Sequence, residues 1–375
     1  MRLRKDASNG SNSNPLEIVE EELTHIKRGQ AHAHILFPHN VREWRNGVVT
    51  GRRAGKAFIS TSKREDNTCI IKLHQDAAGR GRAYERAASA LPRTVLSSAT
   101  AAESPTALCV RREMQSWRLL QLEPAALRQP DEFSAWPHLE SDGRHLAGNL
   151  ARLTTKEDPD RIYSQLTNRL SELIGSVRSV RVDRDEKREL LTLMMTGSDG
   201  TELPARALSD GTLRFLALSV LELDPETPGL ICMEEPENGI HPDRIPAMLK
   251  LLQDIATDPD EPADDSNPLR QVIVNTHSPS VVMAVPDDAV LLAQPCKEIQ
   301  NGKEFTKVQF ACLSDSWRTR SQLATAVVTK GEMLSYLNPA AVIRHVVIQR
   351  DMPVKRRIRR VIDHPELGLF AAPQA

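Results

Sequence analysis

Apolar positions alternate in short runs through residues 16–103, recur at helical spacing from Ser104, and form unbroken apolar strands only after residue 208. Residues 16–26, 56–59 and 68–74 read as short strands separated by basic or polar turns (VREWRNGVVTGRRAGK and SKREDN), which predicts an antiparallel β region. Pro105-Thr106 opens a helix in which Ala107, Val110, Met114 and Trp117 recur at the helical period. Residues 119–122 read as a strand. Two amphipathic helices follow at 145–153 and 160–174, with Ile162, Leu166, Leu170 and Leu173 marking the apolar face of the second. Strands at 177–182 and 189–195 flank the charged turn 183–187, and Ser198-Asp199-Gly200 turns into a third. Beyond residue 242 the pattern predicts a helix at 245–255, a solvated acidic loop at 258–268 and buried strands at 271–274 and 289–292. A hairpin at 298–309 has Asn301-Gly302 near its start, and residues 310–312 extend its second strand. The Ser- and Asn-rich residues 1–15 are expected to be disordered.

Residues 208–242 (LSDGTLRFLALSVLELDPETPGLICMEEPENGIHP) concentrate the chemistry. A polar, glycine-containing turn at 208–212 runs directly into the apolar run 213–223, so its amides and the Ser209 hydroxyl fall at a helix N-terminus, an end that attracts anions. The apolar run 230–233 then reads as a buried strand delivering two adjacent carboxylates, Glu234 and Glu235, to a sheet edge. Placing acids there is costly unless they have work to do.

Composition narrows the classes. The formal net charge is -1, so no global field recruits nucleic acid or an acidic membrane. The five cysteines are scattered without CxxC pairing, which favours reduced thiols over a zinc site. Aromatic residues make up only 4%, which argues against a base-stacking platform. No apolar run approaches the roughly 18 residues of a membrane span and the N-terminus lacks the apolar core of a signal peptide, so a soluble, cytoplasmic protein with no membrane partner is expected. His32, His34 and His39 have no evident ligand partner in the sequence. The basic run Lys355-Arg356-Arg357-Ile358-Arg359-Arg360 reads as a solvated helix end.

The order of these signals resembles the ABC-type ATPases, in their chromosome-maintenance (SMC) and RecF-like branch, and within it the bacterial ATPases with an AAA-type core domain. The ABC signature LSGGQ is matched by Leu208-Ser209-Asp210-Gly211-Thr212, which keeps the Leu, the Ser and the second Gly. The Walker B strand corresponds to 230–235, the following loop to 236–241, and the switch histidine to His277 in NTHSP. The motif-bearing part spans about 205–279; the flanks resemble the group more loosely, through IKLHQD, LPRTVLSS and EMQSWRLLQLEP. The resemblance implies an α/β fold, a P-loop NTPase-like ABC ATPase head, with ATP and Mg²⁺ as cofactors. It gives Glu235 the attacking water and His277 a hydrogen bond to the γ-phosphate. Glu234 takes the place of the usual metal-associated Asp; being one methylene longer, it is expected to reach Mg²⁺ through water or more weakly. Ser209 and the Gly211 amide would bind a γ-phosphate held by a second ATPase subunit, in a homo- or heterodimer, with Asn238 and His241 near that interface. DNA is a conceivable further partner.

A complete enzyme of this kind carries a phosphate-cradling GxxxxGK(S/T) loop, and this sequence has none. Its nearest string, Gly51-Arg52-Arg53-Ala54-Gly55-Lys56-Ala57, is one residue short between its glycines and has Ala57 where the Mg²⁺-binding hydroxyl belongs. The sequence therefore reads as an ATPase head incomplete at its N-terminus with an inserted helical subdomain, expected alone to bind ATP poorly and hydrolyse it little. The expected division is a tail at 1–15, a β-rich part of the core at 16–103, a helical insert at 104–176, an ATPase lobe at 177–313 and a helical extension at 314–375. Two functions compete: ATP hydrolysis by a dimeric ABC-type ATPase in DNA maintenance or phage defence, and a non-catalytic scaffold or regulatory remnant that pairs with a complete subunit. A nuclease of the overcoming-lysogenization type is disfavoured, because the tail after Cys312 lacks a Glu plus Asp-x-Asp cluster.

Overall fold

A computed structural model describes residues 2–5, 16–49, 51, 57–76, 83–175, 177–227, 229–300, 303–321 and 326–337. The chain divides into two units, Met1–Val328 and Thr329–Ala375. Strand β1 (Arg2–Lys5) pairs antiparallel with β2 (Leu16–Glu20), so part of the stretch expected to be disordered is extended and paired; residues 6–15 lie outside the described residues. Strands β3 (Ile59–Lys63), β4 (Cys69–Leu73) and β5 (Tyr84–Ala87) form an antiparallel sheet in that order. Ile59, Ile71 and Leu73 point into a small core with Ile18, Val95, Ala99 and Ala107. Glu21 is buried there because its two oxygens accept the Val95 and Leu96 amides at 2.8 and 2.9 Å, capping a short helical turn.

Helix α1 (Pro105–Ser116) begins where Pro105 predicts. Its buried face is not the expected one: Ala107 is buried, while Met114 and Trp117 are 46% and 47% exposed. Here the apolar period marks a helix lying at the margin of a core rather than one covered along its length.

Strand β6 (Arg118–Leu120) follows at once, then α2 (Pro124–Leu127), β7 (Asp131–Glu132), α3 (Leu146–Lys156) and α4 (Pro159–Ile174). The stretch 104–176 thus contributes a strand to the main sheet besides its helices. Ile162, Leu166, Leu170 and Leu173 are all buried, as their spacing predicts. Strands β8 (Val177–Asp185), β9 (Leu190–Gly197) and β10 (Glu202–Pro204) form an antiparallel sheet with β7, in which β9 pairs with the other three.

Helix α5 (Asp210–Leu223) is apolar nearly all round and buries Leu213, Phe215, Leu216, Ala217, Leu218, Val220 and Leu221 at the centre of the larger core. Strand β11 (Leu230–Glu234), helix α6 (Ile245–Ile255), strand β12 (Gln271–Asn275) and the short α7 (Pro279–Ala284) complete that layer. A three-stranded parallel sheet runs in the order β12-β11-β6. One face packs inward through Leu120, Ile231 and Met233. The lateral row Leu119–Cys232–Ile273 lies on the other, and Leu119 and Ile273 are each 48% exposed. Parallel sheets are ordinarily covered on both faces; among the described residues this one is covered on one.

The C-terminal end of α5 is fixed by Arg270, whose Nη2 donates to Asp224 O at 2.6 Å and Nη1 to Glu222 O at 3.4 Å. Arg152, on α3, pairs with the buried Asp224 carboxylate. Strand β13 (Leu291–Gln300) and β14 (Lys303–Leu313) form a long antiparallel hairpin, and β15 (Val327–Val328) joins β14 in parallel. The strand expected at 289–292 starts only at Leu291, because Asp287–Ala289 closes a 3-10 turn; the turn Asn301-Gly302 lies outside the described residues. In the second unit, helix α8 (Lys330–Leu337) is preceded by Thr329, whose amide donates to Glu332 Oε2 at 2.8 Å in a reciprocal cap. Residues 338–375, with the basic run 355–360, lie outside the described residues. No helix among the described residues is long and apolar enough to cross a membrane.

Candidate functional site

Parallel strands end side by side, so the C-terminal ends of β6, β11 and β12 bring three separate stretches of sequence to one sheet edge. At the end of β11, Glu234 is exposed and its Oε2 accepts a 2.6 Å hydrogen bond from Gln121 Nε2, the residue just after β6. Glu235 follows with φ +42°, in the left-handed region that side-chain-bearing residues avoid. Such strain persists only where the surroundings hold it. Here the Glu235 amide donates to Asn275 O at 2.8 Å, its carbonyl accepts the Asn238 amide at 3.0 Å, and its Oε2 accepts Asn238 Nδ2 at 2.6 Å. The backbone twist turns the carboxylate away from the strand line onto Asn238. At the end of β12, His277 is exposed, one residue before the Ser278 that caps α7. His277 and Glu235 thus share the sheet edge through adjacent strands, joined by the Glu235–Asn275 backbone bond.

The 208–212 turn is built as its sequence predicts. Ser209 is the N-cap of α5, its Oγ accepting the Thr212 amide at 3.2 Å and lying 2.8 Å from Thr212 Oγ1. Arg128 ties α2 to this turn, donating to Leu208 O at 3.0 Å and pairing with the Asp210 carboxylate. A Cβ on Gly211 would come within 3.2 Å of Gly239 O, so glycine lets the first turn of α5 press against the loop after β11. Gly239 itself has φ +77°. His241 accepts the Asp243 amide at 3.3 Å and starts the turn leading to α6.

Six of the seven predicted residues line two hollows on either side of the loop 235–241, and Asn238, expected beside His241, lines the one with Glu235. One, of about 220 Å³, has Gln121, Glu123, Arg214, Glu234, Glu235 and Asn238 around an apolar floor. The other, of about 370 Å³, has Ser209, Gly211, Thr212, Gly239 and His241 at its rim, over Val177, Met195 and Phe215. His277 lines neither of these two hollows.

Among the described residues no group of three or more His, Cys, Asp or Glu side chains is close enough to enclose a metal ion. The exposed Glu234 carboxylate, held by the Gln121 N–H, is a hard-oxygen ligand of the kind that fits Mg²⁺, which keeps most of its waters and takes phosphate oxygens from a substrate. In the nearest string to a phosphate loop, Gly51 has a packing duty: a Cβ there would meet Ile26 O at 2.9 Å, and the Arg28 amide donates to Gly51 O at 2.9 Å. Residues 52–56 lie outside the described residues.

Three residues escaped the sequence reading. Gln121, within the strand expected at 119–122, follows the three-residue β6, and a polar residue at a strand end carries no sign of its partner. Arg214 lies on the otherwise apolar α5; burial lowers its pKa, against the attraction of Asp210, Glu123 and Glu237. Glu237 looks like one more acid of an exposed EEPE loop, yet it is buried. In the last two cases the available signal was a charged residue interrupting an apolar run or flanking a strand end.

A parallel sheet with polar groups at its C-terminal edge and an N-capped helix beside it is the arrangement in which α/β domains bind ligands such as nucleotides. The profile of the family described as "AAA domain, putative AbiEii toxin, Type IV TA system" matches residues 9–284. The chain belongs to that family, and the fold that carries its AAA domain is α/β. No curated protein matches. Among solved structures, it is similar to the Smc head domain with a coiled coil and joint from Pyrococcus yayanosii, at 12% identity over 52% of this chain and 32% of that one, with a TM-score of 0.30. The SMC head domain from Thermotoga maritima matches at 13% identity over 69% of this chain and 76% of that one, TM-score 0.27. An Smc head from Pyrococcus furiosus, bound to the C-terminal domain of ScpA, matches at 12% identity over 65% and 72%, TM-score 0.31. The chain spans about a third of the length of the first of these, 32%.

Proposed function

We propose that the chain is an ATP-hydrolysing subunit of the ABC type that works as a dimer, with ATP and Mg²⁺, in phage defence or DNA maintenance. The observation that carries the reading is the division of the motif residues between two hollows on either side of the loop 235–241. One active centre needs its water-activating acid and its phosphate-sensing amides around the same phosphate. Groups that face different hollows suit two nucleotides, one on each subunit.

In this reading Mg²⁺ supplies charge neutralisation at the phosphates, and Glu234, oriented by Gln121, holds the ion through water. Glu235 takes the proton of the attacking water or aligns it, with Asn238 keeping the carboxylate in place. His277 donates to the γ-phosphate oxygen. Ser209 Oγ and the amides at the start of α5 receive the γ-phosphate oxygens of the partner's nucleotide, where the helix dipole favours negative charge. The sequence carries no GxxxxGK(S/T) string, so a second subunit supplies the phosphate cradle and the purified chain binds Mg-ATP weakly when alone.

Titration with a fluorescent ATP analogue, with and without Mg²⁺, tests this, followed by ATPase assay after mixing with a complete subunit from the same operon or genome. Glu235→Gln should then leave binding intact and abolish turnover, and Ser209→Arg should abolish it while leaving the chain's own binding unchanged. Micromolar Mg-ATP affinity in the isolated chain sinks the dependence on outside residues, and full activity of Ser209→Arg sinks the composite site. The second reading, a non-catalytic scaffold paired with a complete ATPase, is favoured by the missing GxxxxGK(S/T) string and predicts that Glu235→Gln changes nothing in the mixture.

A further inference from the structure

Glu237 lies in the loop after β11, between the strained Glu235 and Gly239, and is 9% exposed. Its Oε1 accepts the Thr276 hydroxyl, and Thr276 Oγ1 in turn accepts the Ser278 amide at 2.9 Å. The Thr276–Ser278 bond brackets His277, and the Thr276–Glu237 bond ties that bracket to the loop after β11. On the other side of the loop, Arg214 Nη1 reaches Pro236 O at 3.5 Å and also donates to Asn238 O, gripping the backbone on either side of Glu237. Arg214 projects from α5, whose first turn carries Ser209 and touches Gly239 through Gly211. Neither charged group is placed there for solvation: among the described residues, Arg214 Nε and Glu237 Oε2 are buried without a hydrogen-bond partner. Burying an unpaired polar atom costs about 1–3 kcal/mol, a cost that solvated side chains in a surface loop would not incur.

We propose that Arg214 and Glu237 are positioning residues forming a two-step link that sets the place of His277 from the state of helix α5. A shift of α5 when its N-terminus meets an anion moves the Pro236–Asn238 carbonyls through Arg214, and the loop moves Thr276 through Glu237. The link deepens the ATPase reading and takes its purpose from it: a partner's nucleotide at Ser209 would govern the histidine that senses this subunit's own. The link itself requires no nucleotide, so it is testable whether or not that reading stands.

The experiment is hydrogen–deuterium exchange of the full chain without nucleotide, read on a peptide covering 275–279, with 162–173 in α4 as the control for global unfolding. Thr276→Val, Glu237→Leu and Arg214→Gln should each raise exchange at 275–279 by about 3- to 10-fold, the factor for one ordinary hydrogen bond. Thr276→Ser, which keeps the hydroxyl, should stay at the wild-type rate. In the Thr276→Val background, Arg214→Gln should add nothing, because the link is already cut; a simple packing role for Arg214 predicts that the two effects multiply. Multiplying effects, or an Arg214→Gln chain unchanged at 275–279, overturn the proposal. If Arg214→Gln also raises exchange at 162–173, Arg214→Met, which removes the donors and keeps the apolar stem, replaces it under the same criteria. Unchanged turnover of Glu235→Gln after mixing with a complete subunit would count against the ATPase reading alone.

Discussion

Gln121 donates a 2.6 Å hydrogen bond to Glu234 across the ends of two parallel strands that are 113 residues apart in sequence. The bond lies in an exposed position, so its net worth to folding is at the low end of the usual range of about 0.5–1.5 kcal/mol. Gln121→Ala should therefore barely move the urea midpoint. Its effect should appear in the metal: an unheld Glu234 carboxylate costs entropy to reorder, so the Mg²⁺ concentration needed to support nucleotide binding should rise severalfold. A large loss of stability with an unchanged Mg²⁺ requirement would make Gln121 a structural residue only.

The two glycines at the contact between α5 and the loop should respond differently to alanine. Gly239 has φ +77°, where a Cβ costs about 1–2 kcal/mol for backbone reasons alone. Gly239→Ala should lower stability by that amount in chemical denaturation, with Gly239→Asn milder because Asn tolerates the left-handed region. Gly211 sits in the first turn of a helix, where alanine gains up to about 1 kcal/mol of propensity. Its added Cβ at 3.2 Å from Gly239 O takes a similar amount back. Gly211→Ala should be nearly neutral in stability, and a cost well beyond that of Gly239→Ala would show that the loop does not yield.

Arg152 and Asp224 have side chains only 7% and 5% exposed, and they fasten α3 to the end of α5. Removing one partner strands the other charge in the core, a loss of about 3–5 kcal/mol for a buried pair. Arg152→Met should show it, and the Arg152→Met/Asp224→Leu double variant should recover part of it, because no buried charge is then left alone. A double variant worse than the sum of the singles would contradict this view of the pair.

Much of this was legible and some was not, for reasons that particular residues make plain. The α4 stripe is repeated over a long helix, so the period of Ile162, Leu166, Leu170 and Leu173 identifies both the element and its buried face. Ser209 and Glu235 were readable because a cap and a strand end are local features. Gln121, Arg214 and Glu237 acquire their roles only from neighbours far away in the chain; a charge that interrupts an apolar run at Arg214 or follows a strand end at Glu237 marks a position but not its partners. Met114 and Trp117 show the converse: a correct period does not say whether anything lies against it.

His138 offers a pH test. Burial, with the Arg152 guanidinium next, lowers its pKa from the ordinary 6.5, and the carboxylates of Glu226 and Asp224 oppose the shift only in part. The folded state thus binds this proton less readily than the unfolded chain. Stability contributed by the neutral ring is complete above about 6.5 and is lost as pH falls from there through the lower folded-state value. Urea midpoints between pH 8 and 5 should decline on the acid side, and His138→Gln should flatten part of that decline while leaving the alkaline end alone. An unchanged slope in His138→Gln would assign the acid sensitivity to other groups.

The row Leu119–Cys232–Ile273 supplies the last test, because it separates a bare sheet face from a covered one. Burying an Ile or Leu side chain fully is worth about 1.5–3 kcal/mol, and half of that surface is open at Leu119 and Ile273, each 48% exposed. Leu119→Gln together with Ile273→Thr should then cost little stability in the isolated chain and should reduce binding of a hydrophobic dye such as ANS. The thiol of Cys232, partly exposed between them, should react with a small maleimide faster than the buried Cys312. A stability loss of several kcal/mol, with Cys232 as slow as Cys312, would mean that another part of the chain lies over this face in solution. Loss of dye binding with stability intact would mean that the face is open, as a parallel sheet seldom is.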